Sequence, residues 1–316
     1  MEDTTEDRPE TPAEQVSEPV LPPYAGPRTR NVLLVQLGLS IGLTIAGTLL
    51  FTVLVHWFGW DTSVLNGVLA PDASWEERWH MRLLLVISHL ATFGVAGWMT
   101  VRMFYPPARH ALEYLRAETL PQGRDLLSGV LLMFLSMPLV LFLYNINKAL
   151  PLPDLFHILE EQTNDAIKGL LQMDNGWELL ANLVLIALLP AIGEELVFRG
   201  VLQQQLMRRI AQPWVAILLT AAIFSFIHFQ FEGFLPRMLL GILLGWLYWR
   251  TQNFWVPATA HFANNAFQVV GQYLYSREIS TVDLEQDVEV HWLAALLSVL
   301  LVLALMRWMA IRKQLQ

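Results

Sequence analysis

Apolar residues run along this chain in long unbroken blocks, without the alternation of a strand or the narrow stripe of a surface helix. The blocks lie at 32–58, 82–104, 126–144, 178–207, 214–231, 234–250, 254–275 and 291–311. Most of them approach or exceed the roughly 20 residues that a helix needs to cross the hydrocarbon of a bilayer. The pattern predicts an all-α, polytopic membrane protein with about eight transmembrane helices. The 234–250 block is short and follows the turn Phe231-Glu232-Gly233, so it forms either a span of its own or half of a hairpin partly sunk in the membrane.

Composition agrees with that class. Of 316 residues, 54% are hydrophobic and 15% charged, with a mean hydropathy of +0.42, whereas soluble domains carry roughly a quarter charged residues. There are no cysteines, which excludes disulfides, thiolate metal sites and a cysteine nucleophile. A net charge of −8 argues against nucleic acid as a partner and leaves the lipid bilayer as the surrounding medium. Residues 1–30 hold seven acidic residues and six prolines. Such a segment buries too little apolar surface to offset its ordering entropy, and is expected to be a disordered cytoplasmic tail. Residues 31–125 then form amino-terminal spans and a basic loop, 126–275 a membrane core, and 276–316 an acidic loop with a last span.

Basic residues set the expected orientation. Arg8, Arg28, Arg30, Arg102, Arg109, Arg116, Arg124, Arg208, Arg209, Arg250, Arg307, Arg312 and Lys313 fall on one side. Arg78, Arg82, Lys148, Lys168, Arg237 and Arg277 fall on the other, and Arg199 lies within a span. Thirteen against six places both termini in the cytoplasm of a cell inner or plasma membrane. Asp283-Leu284-Glu285-Gln286-Asp287-Val288-Glu289 then falls outside.

The informative residues are polar ones at membrane depth. Glu194, Glu195 and Arg199 sit within six residues of one apolar run, where each charged group costs about 2.5–3.5 kcal/mol at a helix centre. At about 100° per residue, Glu195 and Arg199 share a helix face and can pair, while Glu194 points about 100° away. One carboxylate is neutralised in place and the other is free to face a cleft. Phe224-Ser225-Phe226-Ile227-His228 puts an imidazole late in the fifth run. His261 and Asn265 lie four apart in the seventh, with Asn264 beside them. His89, in the second run, is read as packing or as a lining residue. Gly241 and Gly245 mark close helix contact within the protomer.

Glu194, His228, His261 and Asn265 suit amide hydrolysis. A buried carboxylate can take a proton from water and return it to the leaving amine. Imidazole and carboxamide groups can donate to the oxyanion. Glu194, His228 and His261 could instead hold a zinc ion whose bound water attacks. The helical His-Glu-x-x-His signature is absent. The three blocks Glu194-Glu195-x-x-x-Arg199, Phe224-x-x-x-His228 and His261-x-x-x-Asn265, in that order over residues 126–275, resemble the motifs of the CAAX prenyl endopeptidase and bacteriocin-processing (CPBP, Abi-type) family of intramembrane proteases. The resemblance implies a membrane endopeptidase acting on a peptide near the membrane surface. Glu194 would activate water with His228, His261 and Asn265 would bind the oxyanion or a metal, and Glu195 and Arg199 would brace the site.

Two readings from other classes stand beside it: a non-catalytic membrane scaffold or immunity protein, and an ion-coupled transporter, against which the lack of an internal repeat counts. Straight helices raise one difficulty. At 1.5 Å per residue, Glu194 lies about 21 Å from the Arg208 end of its run, but His261 only about 12 Å from Asn253. Pro190, Gly193 and Pro257 are expected to bend the helices enough to reconcile these depths.

Overall fold

A computed structural model describes residues 27–66, 69, 73–151, 153–281 and 289–314. Residues 1–26 of the expected tail and 282–288 of the acidic loop lie outside the described residues. The described residues form helices with no strand. In chain order these are α1 (Thr29–Phe58), α2 (Trp75–Phe104), α3 (Ala108–Leu115), α4 (Gly123–Lys148), α5 (Asp154–Leu171), α6 (Gly176–Met207), α7 (Pro213–Phe226), α8 (Phe234–Thr251), α9 (Trp255–Ser276) and α10 (Trp292–Gln314).

By length and composition, α1, α2, α4, α6 and α10 can cross a membrane. That makes an integral membrane protein; among the described residues five helices meet this measure, and the expected count of eight is not confirmed. The difference has a physical origin. Helix α7 is 14 residues long. Helices α8 and α9 spend their length on Arg237, Arg250, His261, Asn264 and Asn265, whose polar groups lower hydropathy. Two helices were not expected at all. Both α3 and α5 are amphipathic and too polar to read as spans.

Local signals place the helix starts. A capping box opens α2, with the Glu77 amide donating to Ser74 Oγ at 3.3 Å and the Ser74 amide to Glu77 Oε2 at 2.7 Å. The Asn175 side chain accepts from the Trp177 and Glu178 amides to open α6. Gln252, in the left-handed region at φ 55°, ends α8.

Inside lipid the hydrophobic effect does not hold helices together, so close packing and internal polar bonds must. Helix α4 packs Leu132 and Met133 against Leu243, Leu244 and Leu247 of α8, Val256 and Ala260 of α9, and Val302 of α10. The paired glycines of α8 act within the protomer. A Cβ on Gly241 would lie 3.0 Å from Ala221 Cβ, and one on Gly245 would lie 2.7 Å from Gln203 Oε1. Their absence exposes two carbonyls to α6: Arg199 Nη2 donates to Gly241 O at 2.9 Å and Gln203 Nε2 to Gly245 O at 2.8 Å.

A second polar joint ties α2 to α6. Arg78 and Arg82, counted with the basic residues of the non-cytoplasmic side, are buried. Arg78 Nε donates to Glu178 Oε1 at 3.0 Å and Arg82 Nη1 to the same oxygen at 2.8 Å. Arg82 Nε also donates to Asn182 Oδ1 at 3.0 Å, and Arg78 pairs with Asp174. Removing one member of a buried ion pair leaves its partner's charge uncompensated. Glu178→Leu is therefore expected to cost about 3–5 kcal/mol of stability, measurable as a shift of the unfolding midpoint in detergent.

Candidate active site

Helix α6 is not a straight rod. Wider π-helical turns at Leu183–Leu188 and Leu196–Gln203 flank the short α-helical segment Leu189–Glu195. Pro190, near the start of that segment, has no amide to donate. The π turns accommodate the bend and rotate the faces that Glu194 and Arg199 would otherwise present. Irregular backbone of this kind supplies the distortion that the difference in depth required.

Glu195 and Arg199 are fully buried and joined to each other, with Arg199 Nη1 donating to Glu195 Oε1 at 2.7 Å. The same oxygen lies 2.9 Å from His261 Nδ1. An imidazole nitrogen this close to a carboxylate is the protonated one, so His261 donates through Nδ1 and turns Nε2 toward Glu194. The guanidinium carbon of Arg199 also lies 5.0 Å from the centre of the Phe224 ring. Phe224 in turn meets His228 and His261 edge-on, at 4.9 Å and 6.0 Å between ring centres.

The fifth apolar run was expected to carry His228 inside a helix continuing to 231. The helix ends at Phe226 instead. Ser225 Oγ donates to Phe234 O at 2.7 Å, folding the chain back on itself, and Phe229 takes the left-handed conformation at φ 54°. Arg237 holds the turn from α8, donating to Gln230 O at 3.1 Å and Gln230 Oε1 at 2.7 Å. His228 thus sits in the turn and keeps one helical bond, from Nδ1 to Phe224 O at 2.6 Å. A carbonyl oxygen only accepts, so Nδ1 carries the proton and Nε2 faces Glu194.

Glu194 is 7% exposed, and its carboxylate is the point on which three imidazoles converge. His228 Nε2 is 4.0 Å from Oε1, and His261 Nε2 is 3.8 Å from Oε2. The third imidazole is His89 of α2, with Nε2 4.0 Å from Oε1. Of the two readings of His89, packing or lining, this placement selects the lining one. Its signal in the sequence was one histidine in an apolar run, with no motif around it. Gly193 allows the approach, since a Cβ there would lie 3.1 Å from Phe93 Cβ and 3.4 Å from His89 Nε2. Asn265 stands one turn beyond His261 on α9 and accepts from Asn264 Nδ2 at 3.2 Å.

Separations of 3.8–4.0 Å are too long for direct hydrogen bonds and suit a bridging water. Among the described residues, no group of three or more His, Cys, Asp or Glu has the arrangement to hold a metal ion. The zinc set Glu194, His228 and His261 is met as neighbouring side chains only.

Residues 176–267, the stretch that carries Glu194, His228, His261 and Asn265, match the family model described as type II CAAX prenyl endopeptidase Rce1-like. This is the family grouping that the three sequence blocks resemble. A curated relative, an uncharacterized protein YpbD of Bacillus subtilis (strain 168), is 35% identical over 91 residues, which cover 28% of this chain and 43% of the relative. The chain thus matches less than half the length of that relative. No solved structure matches.

The two glutamates should separate by what they do. Glu194→Gln removes a carboxylate that has no imidazole closer than 3.8 Å and is expected to shift unfolding by little, whereas Arg199→Leu strands the fully buried Glu195 and should cost about 3–5 kcal/mol. Thermal unfolding in detergent checks the difference.

Proposed function

We propose that this chain is an intramembrane endopeptidase that hydrolyses a peptide bond of a membrane-proximal or lipid-anchored peptide. The observation that carries the reading is the convergence of Nε2 atoms from separate segments on one buried carboxylate, that of Glu194. The family match over the same stretch supports it. The catalytic core is residues 126–275, and both termini lie on the cytoplasmic side by the excess of basic residues there.

The chemistry follows from the atoms present. A water between Glu194 Oε1 and His228 Nε2 gives one proton to the carboxylate while its oxygen bonds to the scissile carbonyl carbon. The carbonyl π electrons move onto oxygen, where the Asn265 carboxamide, and His261 once its Nε2 has taken up a proton, stabilise the charge. When that tetrahedral centre collapses, the carbon–nitrogen bond breaks and Glu194 returns the proton to the departing amine. One water is consumed, and the carboxyl group of Glu194 ends as it began. Glu195 and Arg199 touch no reacting atom; they hold the His261 ring and are positioning residues.

A library of fluorogenic peptides, lipid-anchored in liposomes with the purified protein, tests this directly. Glu194→Gln should lower turnover by about 1,000-fold or more with unfolding unchanged. Full activity in a folded Glu194→Gln protein would overturn the reading. A scaffold or immunity protein would keep its phenotype in the triple variant Glu194→Gln, His228→Ala, His261→Ala. Chelation addresses the metal version, in which Glu194, His228 and His261 would be ligands. The glutamate mechanism forecasts turnover unaffected by a chelator, and the metal mechanism forecasts loss of activity that zinc restores.

A further inference from the structure

Three imidazoles face Glu194, but they are not chemically equivalent. His228 donates its Nδ1 proton to Phe224 O, and His261 donates its Nδ1 proton to Glu195 Oε1. In the neutral state each therefore offers only a lone pair at Nε2. Neither can donate to a developing oxyanion without first taking up a proton. His89 differs: neither of its ring nitrogens has a hydrogen bond among the described residues, and Nε2 is buried without a partner.

An unpartnered polar atom buried at such a site calls for an explanation. The ring is not loosely placed. Phe93 packs against it at 4.7 Å between centres, and Phe198 lies 6.2 Å beyond Phe93. A π-helical turn begins at Leu90, immediately after it, and Gly193 leaves the space that it enters. The fold orients this ring by packing alone, which leaves its tautomer to be set by what it faces. Beside a carboxylate, the tautomer with hydrogen on Nε2 is the favoured one.

We propose that His89 is a further catalytic residue, the neutral N–H donor that binds the substrate carbonyl oxygen as it becomes an oxyanion beside Glu194. The inference rests on the hydrolytic reading above. Before substrate enters, Nε2–H points across 4.0 Å toward Glu194 Oε1, a gap that one water fills. When a peptide enters, its carbonyl oxygen displaces that water and takes the hydrogen bond. The bond tightens as charge builds on oxygen, so it acts on the transition state more than on binding. No proton is transferred by His89; the proton from water still goes to Glu194 and then to the amine.

Three variants separate this from a packing role. His89→Phe keeps a ring against Phe93 but has no donor, while His89→Gln places an amide N–H near the Nε2 position. The expected order is His89→Gln within about tenfold of the parent and His89→Phe down about 100-fold in kcat with KM little changed. The inhibition constant of a phosphinate analogue of the cleaved reporter should rise in the Phe variant by the factor that kcat/KM falls. A packing role predicts the reverse order, and full activity in His89→Phe overturns the proposal. If the Phe variant does not fold, His89→Ala replaces it, with partial recovery on adding imidazole as the expected result and no recovery as the contrary one.

Nitrogen-15 NMR of histidine-labelled protein reads the tautomers without any turnover. His89 should carry its proton on Nε2, with His228 and His261 carrying theirs on Nδ1; an Nδ1–H tautomer at His89 overturns the proposal whatever the assay shows. Activity surviving Glu194→Gln, by contrast, would remove the base and leave this NMR result standing on its own.

Discussion

A carboxylate that cannot reach bulk water must find its partners inside the protein, and this bundle contains two side by side. Glu195 is paired with Arg199 and His261 through Oε1, while its Oε2 is buried without a hydrogen bond among the described residues. That arrangement neutralises one charge, fixes one ring, and leaves Glu194 as the group without a direct partner. The cost of burying ions is recovered only when geometry and hydrogen bonds are both good. The rest of the core is shaped to supply them: glycine carbonyls on α8, the bent α6, and the short α7 that ends early enough to put His228 in a turn.

The division of labour between the two glutamates follows from that constraint. An ion pair at i, i+4 on a buried face needs no solvent and can serve as a frame. The adjacent residue, turned about 100° around the helix, is then held in place by a rigid neighbour while facing the three imidazoles. The frame and the proposed base come from consecutive positions in one short segment, so movement of either is limited by the same backbone. The second polar joint, among Arg78, Arg82, Glu178 and Asn182, ties α2 to α6 at another level and so fixes the helix that carries His89.

Much of this was legible in the chain. Eight apolar runs foretold a helical membrane protein, and the runs coincide with helices even where length or polarity keeps three of those helices outside the set that can span on their own. The Glu195–Arg199 pair follows from spacing alone. Helices α3 and α5 were missed because amphipathic segments between spans resemble loops in a hydropathy pattern. Arg78 and Arg82 entered the sequence reading only as charges that set orientation, because their partners Glu178, Asp174 and Asn182 are about a hundred residues away.

Local sequence carried the class of the molecule, the spacing of its polar blocks and the pairing within one helix, because each depends on residues a few positions apart. His89 belongs to no such local pattern. Its place at Glu194 depends on how two helices cross, on a glycine that lets them approach, and on π turns whose i→i+5 bonds respond to packing rather than to propensity. Which nitrogen of the His228 and His261 rings carries the proton follows in the same way, from the carbonyl or carboxylate beside Nδ1. Those are facts of contact between distant segments, and contact between distant segments exists only in the folded molecule.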